Sequence, residues 1–188
     1  MIGQTIIIGV SGGSGSGKST FAAALCEKLD GALCICSDRY FRKELPKMIS
    51  PLDGKEYPDW NHPDSIESEQ MRQDILAACE SGEYRYIVAE GAYVFCIEPL
   101  RALMDLKIWV DASIEMRIFR RIARNVVTKG QSVEFIGGYY LNCARYRERE
   151  YSLPSAAFAD IRVPNEAENE YRHSLDAVTD RISKISES

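Results

Sequence analysis

The chain has 188 residues, 45% of them hydrophobic and 27% charged, with a formal net charge of −5. That length suits one α/β domain with a sizeable core, read here as residues 1–188. The acidic balance argues against a general nucleic-acid binder, and no apolar run approaches the roughly 20 residues that cross a membrane.

Met1-Ile2-Gly3-Gln4 leads straight into a β-branched run, Thr5-Ile6-Ile7-Ile8-Gly9-Val10. This leaves no room for a signal peptide and predicts a cytoplasmic chain. The run has the character of a buried parallel strand. Gly12-Gly13-Ser14-Gly15-Ser16-Gly17-Lys18-Ser19 follows, then Thr20, fitting G-x-x-x-x-G-K-[ST]. Next come the strong helix formers Phe21 to Leu29. Glycines allow a tight curl with N–H groups turned inward, and the helix N-terminus adds its positive end. Lys18 can reach the outer phosphates and Ser19 can offer its hydroxyl to Mg²⁺. A nucleoside triphosphate site is expected here.

Leu33-Cys34-Ile35-Cys36 is the second expected strand, followed by Ser37-Asp38-Arg39-Tyr40-Phe41-Arg42 and a polar, proline-marked loop from about Lys43 to Pro63. Loops of that length often carry function. Asp64-Ser65 is expected to cap a helix through about Glu80, stopped at Ser81-Gly82. Tyr86 to Ala89 is the third strand, ending in Glu90-Gly91, and Glu98 to Met104 a short helix. Leu106 to Val110 is the fourth strand, ending at Asp111. Ser113 is expected to cap a helix to about Val127, with a further helix from about Ser132 to Arg149. Ile161-Arg162-Val163 reads as a fifth strand and Glu170 to Ile185 as a terminal amphipathic helix. The alternation points to a parallel sheet covered on both faces. The six cysteines form no C-x-x-C pair and read as free thiols.

Ligands of open α/β sheets sit outside the carboxyl ends of the strands. Asp38, Glu90 and Asp111 lie there beside the phosphate loop. One such carboxylate can take a proton from an attacking hydroxyl and a second can hold Mg²⁺; each is otherwise a solvated loop carboxylate or a cap. Arg117, Arg120, Arg121 and Arg124 make a cationic helix face, either a lid that neutralises transferring phosphoryl oxygens or a solvated charged helix. Asp59 to Asp64 suits a sugar or base pocket, with His62 readable as a plain surface residue. Tyr139-Tyr140 serves either helix packing or substrate stacking.

In this order the chain resembles the uridine kinase family, in the phosphoribulokinase and uridine kinase group of phosphate-loop kinases. Gly12 to Ser19 matches its loop, and Ser37 to Phe41 resembles S-x-D-x-F-Y, one residue shorter and with the aromatics exchanged. Asn61-His62-Pro63-Asp64 resembles D-H-P-D, Glu90-Gly91 the strand-end E-G, and Arg117 to Gly130 the lid. Ala159-Asp160-Ile161 with Val163-Pro164 resembles Y-A-D-x-I-x-P.

The resemblance implies a three-layer sandwich around a five-stranded parallel sheet in the order 2-3-1-4-5, with an arginine-rich lid over 117–131 and an acceptor loop over 38–64. It implies ATP and Mg²⁺, with Asp38 as the base. Lys18 and the amides of Gly12 to Thr20 would hold phosphate, Ser19 and Glu90 would serve Mg²⁺, and Arg121 and Arg124 would clamp from the lid. The implied acceptor set is Asp38, Tyr40, Asn61, His62, Arg121, Gln131 and Tyr139. Asn61, Gln131 and Tyr139 depart from the family's residues, and only Ser81 to Arg85 spans the gap where the family inserts a base-gripping hairpin.

A nucleoside-like acceptor is therefore expected in a pocket looser than a pyrimidine site. Nicotinamide riboside or another small metabolite is an alternative, and a non-catalytic nucleotide-binding switch or inactive kinase another. A GTPase is disfavoured, since N-K-x-D and D-x-x-G are missing. No nucleic-acid or membrane partner is expected, and oligomeric state stays open.

Overall fold

A computed structural model describes residues 5–186. The expected lead-in Met1 to Gln4 lies outside the described residues. Five strands form one parallel sheet: β1 (Ile6–Ser11), β2 (Ala32–Cys36), β5 (Tyr86–Glu90), β6 (Leu106–Asp111) and β7 (Ile161–Pro164). Their order is β2-β5-β1-β6-β7, which is 2-3-1-4-5 when only the sheet's own strands are counted. The register pairs Val10 with Glu90 and with Ile108, and Cys36 with Glu90.

Side chains alternate across each strand, and here both faces are covered. Ile6, Ile8 and Val10 of β1 pack with Phe21 and Leu25 of α1 (Lys18–Lys28) and with Val178 and Ile182 of α8 (Arg172–Ser186). Ile7 points the other way, toward Met71 and Ile75 of α2 (Ser68–Ser81) and Leu100 of α3 (Glu98–Arg101). Each fully buried aliphatic side chain contributes roughly 1.5–3 kcal/mol of transfer free energy.

Three expected boundaries move. The supposed loop after β2 contains a hairpin, β3 (Lys47–Ile49) and β4 (Glu56–Pro58), with Met48 paired to Tyr57. Asp64-Ser65 belongs to a separate 3₁₀ turn, Pro63–Ser65, so α2 starts only at Ser68. His62 caps that turn by accepting from the Asp64 N–H.

The helix expected to end near Arg149 runs on past it. After α4 (Ile114–Lys129) come α5 (Val133–Tyr139), a π-helical segment Tyr140–Ala144, α6 (Arg145–Arg147), a second π-helical segment Glu148–Ser152, and α7 (Leu153–Ser155). A π segment is wound more loosely than an α-helix. On an α-helix residues four apart drift by about 40° per step; π winding removes much of that drift. Tyr140, Ala144, Glu148 and Ser152 thus stay on one side, and all four line the same cavity.

Candidate active site

Between β1 and α1 the chain makes a phosphate loop. Gly15 and Gly17 sit at φ +87° and +92°, where an L side chain would be strained. A Cβ on Gly15 would also strike the Arg117 carbonyl, and one on Gly17 the Asn165 side chain. The Ser16 N–H donates to the Gly13 carbonyl at 3.0 Å, and the Phe21 N–H to Gly17 at 2.9 Å. Successive N–H groups and the start of α1 make an anion site. Asn165, buried just past β7, donates from Nδ2 to the Ser16 carbonyl at 2.7 Å and so fixes the loop from below.

Glu90 closes β5 at 2% exposure. Its Oε1 accepts from the Ser19 hydroxyl at 2.9 Å and lies 3.7 Å from Lys18 Nζ. Carboxylate, hydroxyl and ammonium therefore meet at the ends of two neighbouring strands. Among the described residues no three His, Cys, Asp or Glu side chains form a metal cluster. One carboxylate with one hydroxyl nevertheless fits Mg²⁺, which is commonly held by one or two carboxylates plus substrate phosphates and water.

Asp38 is exposed on the 3₁₀ turn Ser37–Tyr40 that follows β2. Ser37 is buried against Gly91, where any Cβ would strike its hydroxyl, so the turn is tied to the residue after Glu90. Burial, then the Glu90 carboxylate, push the Cys36 thiol up to about 12, and Asp38 also acts on it. Both carboxylates therefore share the surroundings of one thiol. Tyr40 is drawn elsewhere: its hydroxyl donates to Asp74 Oδ2 of α2 at 2.7 Å.

Helix α4 is capped as expected, with Ser113 Oγ accepting from the Met116 N–H at 3.2 Å and Gly130 at its end in left-handed geometry. Its four arginines share one broad face but differ in depth and in partners. Arg117 is buried, donates from Nε to the Ala112 carbonyl at 3.2 Å and pairs with Glu148. Arg120 donates to the carbonyls of Asn165, Glu166 and Ala167 at 2.7, 2.9 and 3.3 Å. Arg121 lies 5.7 Å from the centre of the Tyr139 ring, its buried Nε is without a partner, and burial pulls its pKa below the usual value. Arg124 is exposed and reaches only Asn125 Oδ1, at 3.1 Å. It sits seven residues beyond Arg117, about 10 Å further along the axis. Gln131 Oε1 accepts from Asn125 Nδ2 at 2.9 Å, outside the cavity.

The segment 58–62 is bolted to the long helix. The Tyr139 hydroxyl donates to the Pro58 carbonyl at 3.1 Å and accepts from the Trp60 N–H at 3.1 Å and Asn61 Nδ2 at 2.9 Å. Asp59 is fully buried and accepts from Arg147 Nε at 2.6 Å and from the Asn61 N–H at 3.1 Å. His62 spends Nδ1 on its cap and Nε2 on the Tyr151 hydroxyl at 3.0 Å. Tyr139 and His62 thus hold the loop, while Asn61 alone of the three lines the cavity. That cavity is narrow and opens to solvent at its mouth. Ser14 of the phosphate loop, Asn61, Tyr93, Arg117, Arg121 and Glu148 converge on it.

Of the expected residues, the structure brings Ser14, Asn61 and Arg121 to this cavity and gathers Lys18, Ser19 and Glu90 beside the phosphate loop. Asp38, Tyr40, His62, Arg124, Gln131 and Tyr139 are not brought to it. Sequence reading missed Arg147, Glu148 and Asn165, whereas Tyr93, a candidate for stacking on a substrate ring, does line the cavity. Arg147 and Glu148 sit in Arg-Tyr-Arg-Glu-Arg-Glu, which looks like a solvated charge run. Only the period of four in Tyr140, Ala144, Glu148 and Ser152 could have marked that face.

The sequence model described as "Phosphoribulokinase / Uridine kinase family" matches residues 71–171, more than half of the chain. The chain belongs to this family. It is 31% identical to a uridine kinase of Lactobacillus johnsonii, across 97% of this chain and 96% of that one. A uridine kinase of Lactiplantibacillus plantarum is 28% identical over the same shares. Among solved structures, a Silicibacter protein provisionally described as a fructose transport system kinase superposes with a TM-score of 0.60, covering 86% of this chain and 90% of that one at 18% identity. A Thermus thermophilus protein gives 0.57, covering 95% and 98% at 20% identity. These two share the fold. As a member of the phosphoribulokinase/uridine kinase family the chain is an ATP-dependent kinase, and the family uses ATP with Mg²⁺ in general. Among the described residues no helix is long and apolar enough to cross a membrane.

Proposed function

We propose that the chain transfers the γ-phosphoryl group of ATP to a primary hydroxyl of a nucleoside or similar small polyol. The observation that carries this is the single cavity joining the phosphate loop at Ser14, the acceptor loop at Asn61 and the lid arginines Arg117 and Arg121. Phosphoryl transfer needs little covalent chemistry from a protein; it needs alignment and charge compensation.

In this reading the loop amides and Lys18 hold the triphosphate, with Gly12 to Thr20 wrapping it. Ser19 and Glu90 would hold Mg²⁺, which supplies charge compensation at the phosphate oxygens when bound. Asp38, exposed at the strand ends, accepts the proton of the attacking hydroxyl. Arg121 makes no salt bridge among the described residues, although the Glu148 carboxylate acts on it from a distance, and it offers its charge to the transferring group. Arg124 can join only if the lid moves inward. The acceptor meets Asn61, a neutral hydrogen-bonding group, beside Tyr93 and Tyr140. With neither a carboxylate at position 61 nor a base-gripping hairpin, pyrimidine selectivity should be weak.

The test is acceptor-dependent ADP formation across uridine, cytidine, purine nucleosides, nicotinamide riboside and simple sugars, read as kcat/KM. Several ribose-bearing acceptors within about tenfold of each other are expected. Efficient use of uridine and cytidine with rejection of the rest would overturn the loose-pocket reading. ADP formation that no acceptor stimulates would overturn the transfer itself.

A further inference from the structure

Glu148 is the one carboxylate that lines the cavity among the described residues. Its side chain is 12% exposed, and Oε1 pairs with Arg117 Nη1. Oε2 has no partner among the described residues. Across the same cavity Asn61 has committed Nδ2 to the Tyr139 hydroxyl, which leaves Oδ1 without a partner. The cavity therefore presents two acceptors that no protein donor occupies, one of them charged, and a ligand's hydroxyls can donate to both.

Both groups are held in place before any ligand arrives. Arg147, next to Glu148 in the chain, is pinned by the buried Asp59, and Asp59 also accepts from the Asn61 backbone. The π winding keeps Glu148 on the cavity side between Ala144 and Ser152. Arg117 offsets its charge, so the carboxylate sits beside Gly13 of the phosphate loop without leaving an uncompensated negative charge there.

We infer that Glu148 is an acceptor-binding carboxylate, and that Glu148 Oε2 and Asn61 Oδ1 together receive two hydroxyls of the phosphate acceptor. The substrate class is a polyol carrying two donor hydroxyls besides the one phosphorylated, such as a ribonucleoside or a pentose. The inference rests on the proposed transfer reaction and adds the group that reads the sugar. The competing role for Glu148 is that of a plain counter-ion to Arg117.

The experiment compares wild type, Glu148→Gln and Glu148→Gln with Asn61→Asp on a ribonucleoside and on its 2′-deoxy and 3′-deoxy forms. A hydrogen bond to a charged group is worth about 1.5–3 kcal/mol, or roughly 10- to 150-fold. Wild type should lose about that factor in kcat/KM on at least one deoxy acceptor. Glu148→Gln should lose a similar factor on the ribonucleoside, chiefly in acceptor KM, and should discriminate deoxy forms by less than about threefold. KM for ATP should move far less, Tm should fall because the buried Arg117 loses its counter-ion, and Asn61→Asp should return part of the discrimination. Undiminished discrimination in Glu148→Gln would overturn the inference, as would a change confined to KM for ATP and Tm. Calorimetric binding of the same acceptors with a non-hydrolysable ATP analogue reads Glu148 even without turnover. A failed transfer reaction and a failed Glu148 assignment therefore give different results.

Discussion

Replacing Arg147 with Met should cost about 3–5 kcal/mol of folding free energy, because it strands a fully buried carboxylate. Asp59 accepts from Arg147 Nε at 2.6 Å, from the Asn61 N–H at 3.1 Å, and lies 3.8 Å from the Cys143 thiol. Without the guanidinium one amide and one thiol remain, too little to hold a charge away from water. Arg147 also bridges Glu150 at 2.6 Å, but that partner is half exposed and such pairs are worth about 0–1 kcal/mol. Typical totals are about 5–15 kcal/mol. At about 2–4 °C per kcal/mol for a chain of this size, Tm should fall by roughly 6–20 °C. Glu150→Gln is the control and should fall by no more than about 4 °C. The double variant Asp59→Asn with Arg147→Met removes the stranded charge and should recover at least half of the loss. Urea melts of the four proteins decide it. A single Arg147→Met variant within about 1 kcal/mol of wild type, or a double variant no better than the single, would refute this account.

Three further outcomes are expected. Lys18→Ala removes the ammonium beside Glu90 and the phosphate loop, so turnover should drop to background and KM for ATP should rise; wild-type turnover would sink the loop assignment. Asp38→Asn should lower kcat about a hundredfold or more with ATP affinity little changed, whereas an active Asp38→Asn beside a dead Glu90→Gln would mean that the two carboxylate roles are exchanged. Cys36, pushed up to about 12 by burial and by Glu90, stays protonated at pH 7–9 and should alkylate slowly. Glu90→Gln removes one cause of that rise, so site-resolved mass spectrometry should show faster labelling of Cys36, and an unchanged rate would place Glu90 away from the thiol.

The sheet was legible because each of its strands is a short apolar run closed by a turn or a polar residue, and periodicity reports that locally. The phosphate loop was legible because its residue types are dictated by backbone geometry rather than by distant partners. The hairpin Lys47–Pro58 was not: each strand has three residues, and it is held by Met48 packing with Tyr139 and Cys143, almost a hundred residues later. Tyr139 and His62 looked like ligand groups because nothing in the sequence shows that their polar atoms are already spent. The opposite error hid Glu148, since a carboxylate in a charge run looks solvated until winding turns it inward. Arginine spacing misled for a third reason. A helix face is shared by neighbours of different depth, so Arg117 is buried while Arg124, on nearly the same bearing, is exposed.

The two π segments make the pocket wall behave like a comb of fixed length. Its teeth at 140, 144 and 152 face the cavity and can be exchanged one at a time, whereas the tooth at 148 also balances the buried Arg117. The spine cannot be lengthened or shortened. One residue added between Arg145 and Glu148 would swing the teeth on one side of it by about 100° and leave those on the other side in place, and it would part Arg147 from Asp59. Engineering this enzyme toward a new acceptor should therefore hold the length of 133–155 constant, keep a carboxylate at 148 and vary 140, 144 and 152.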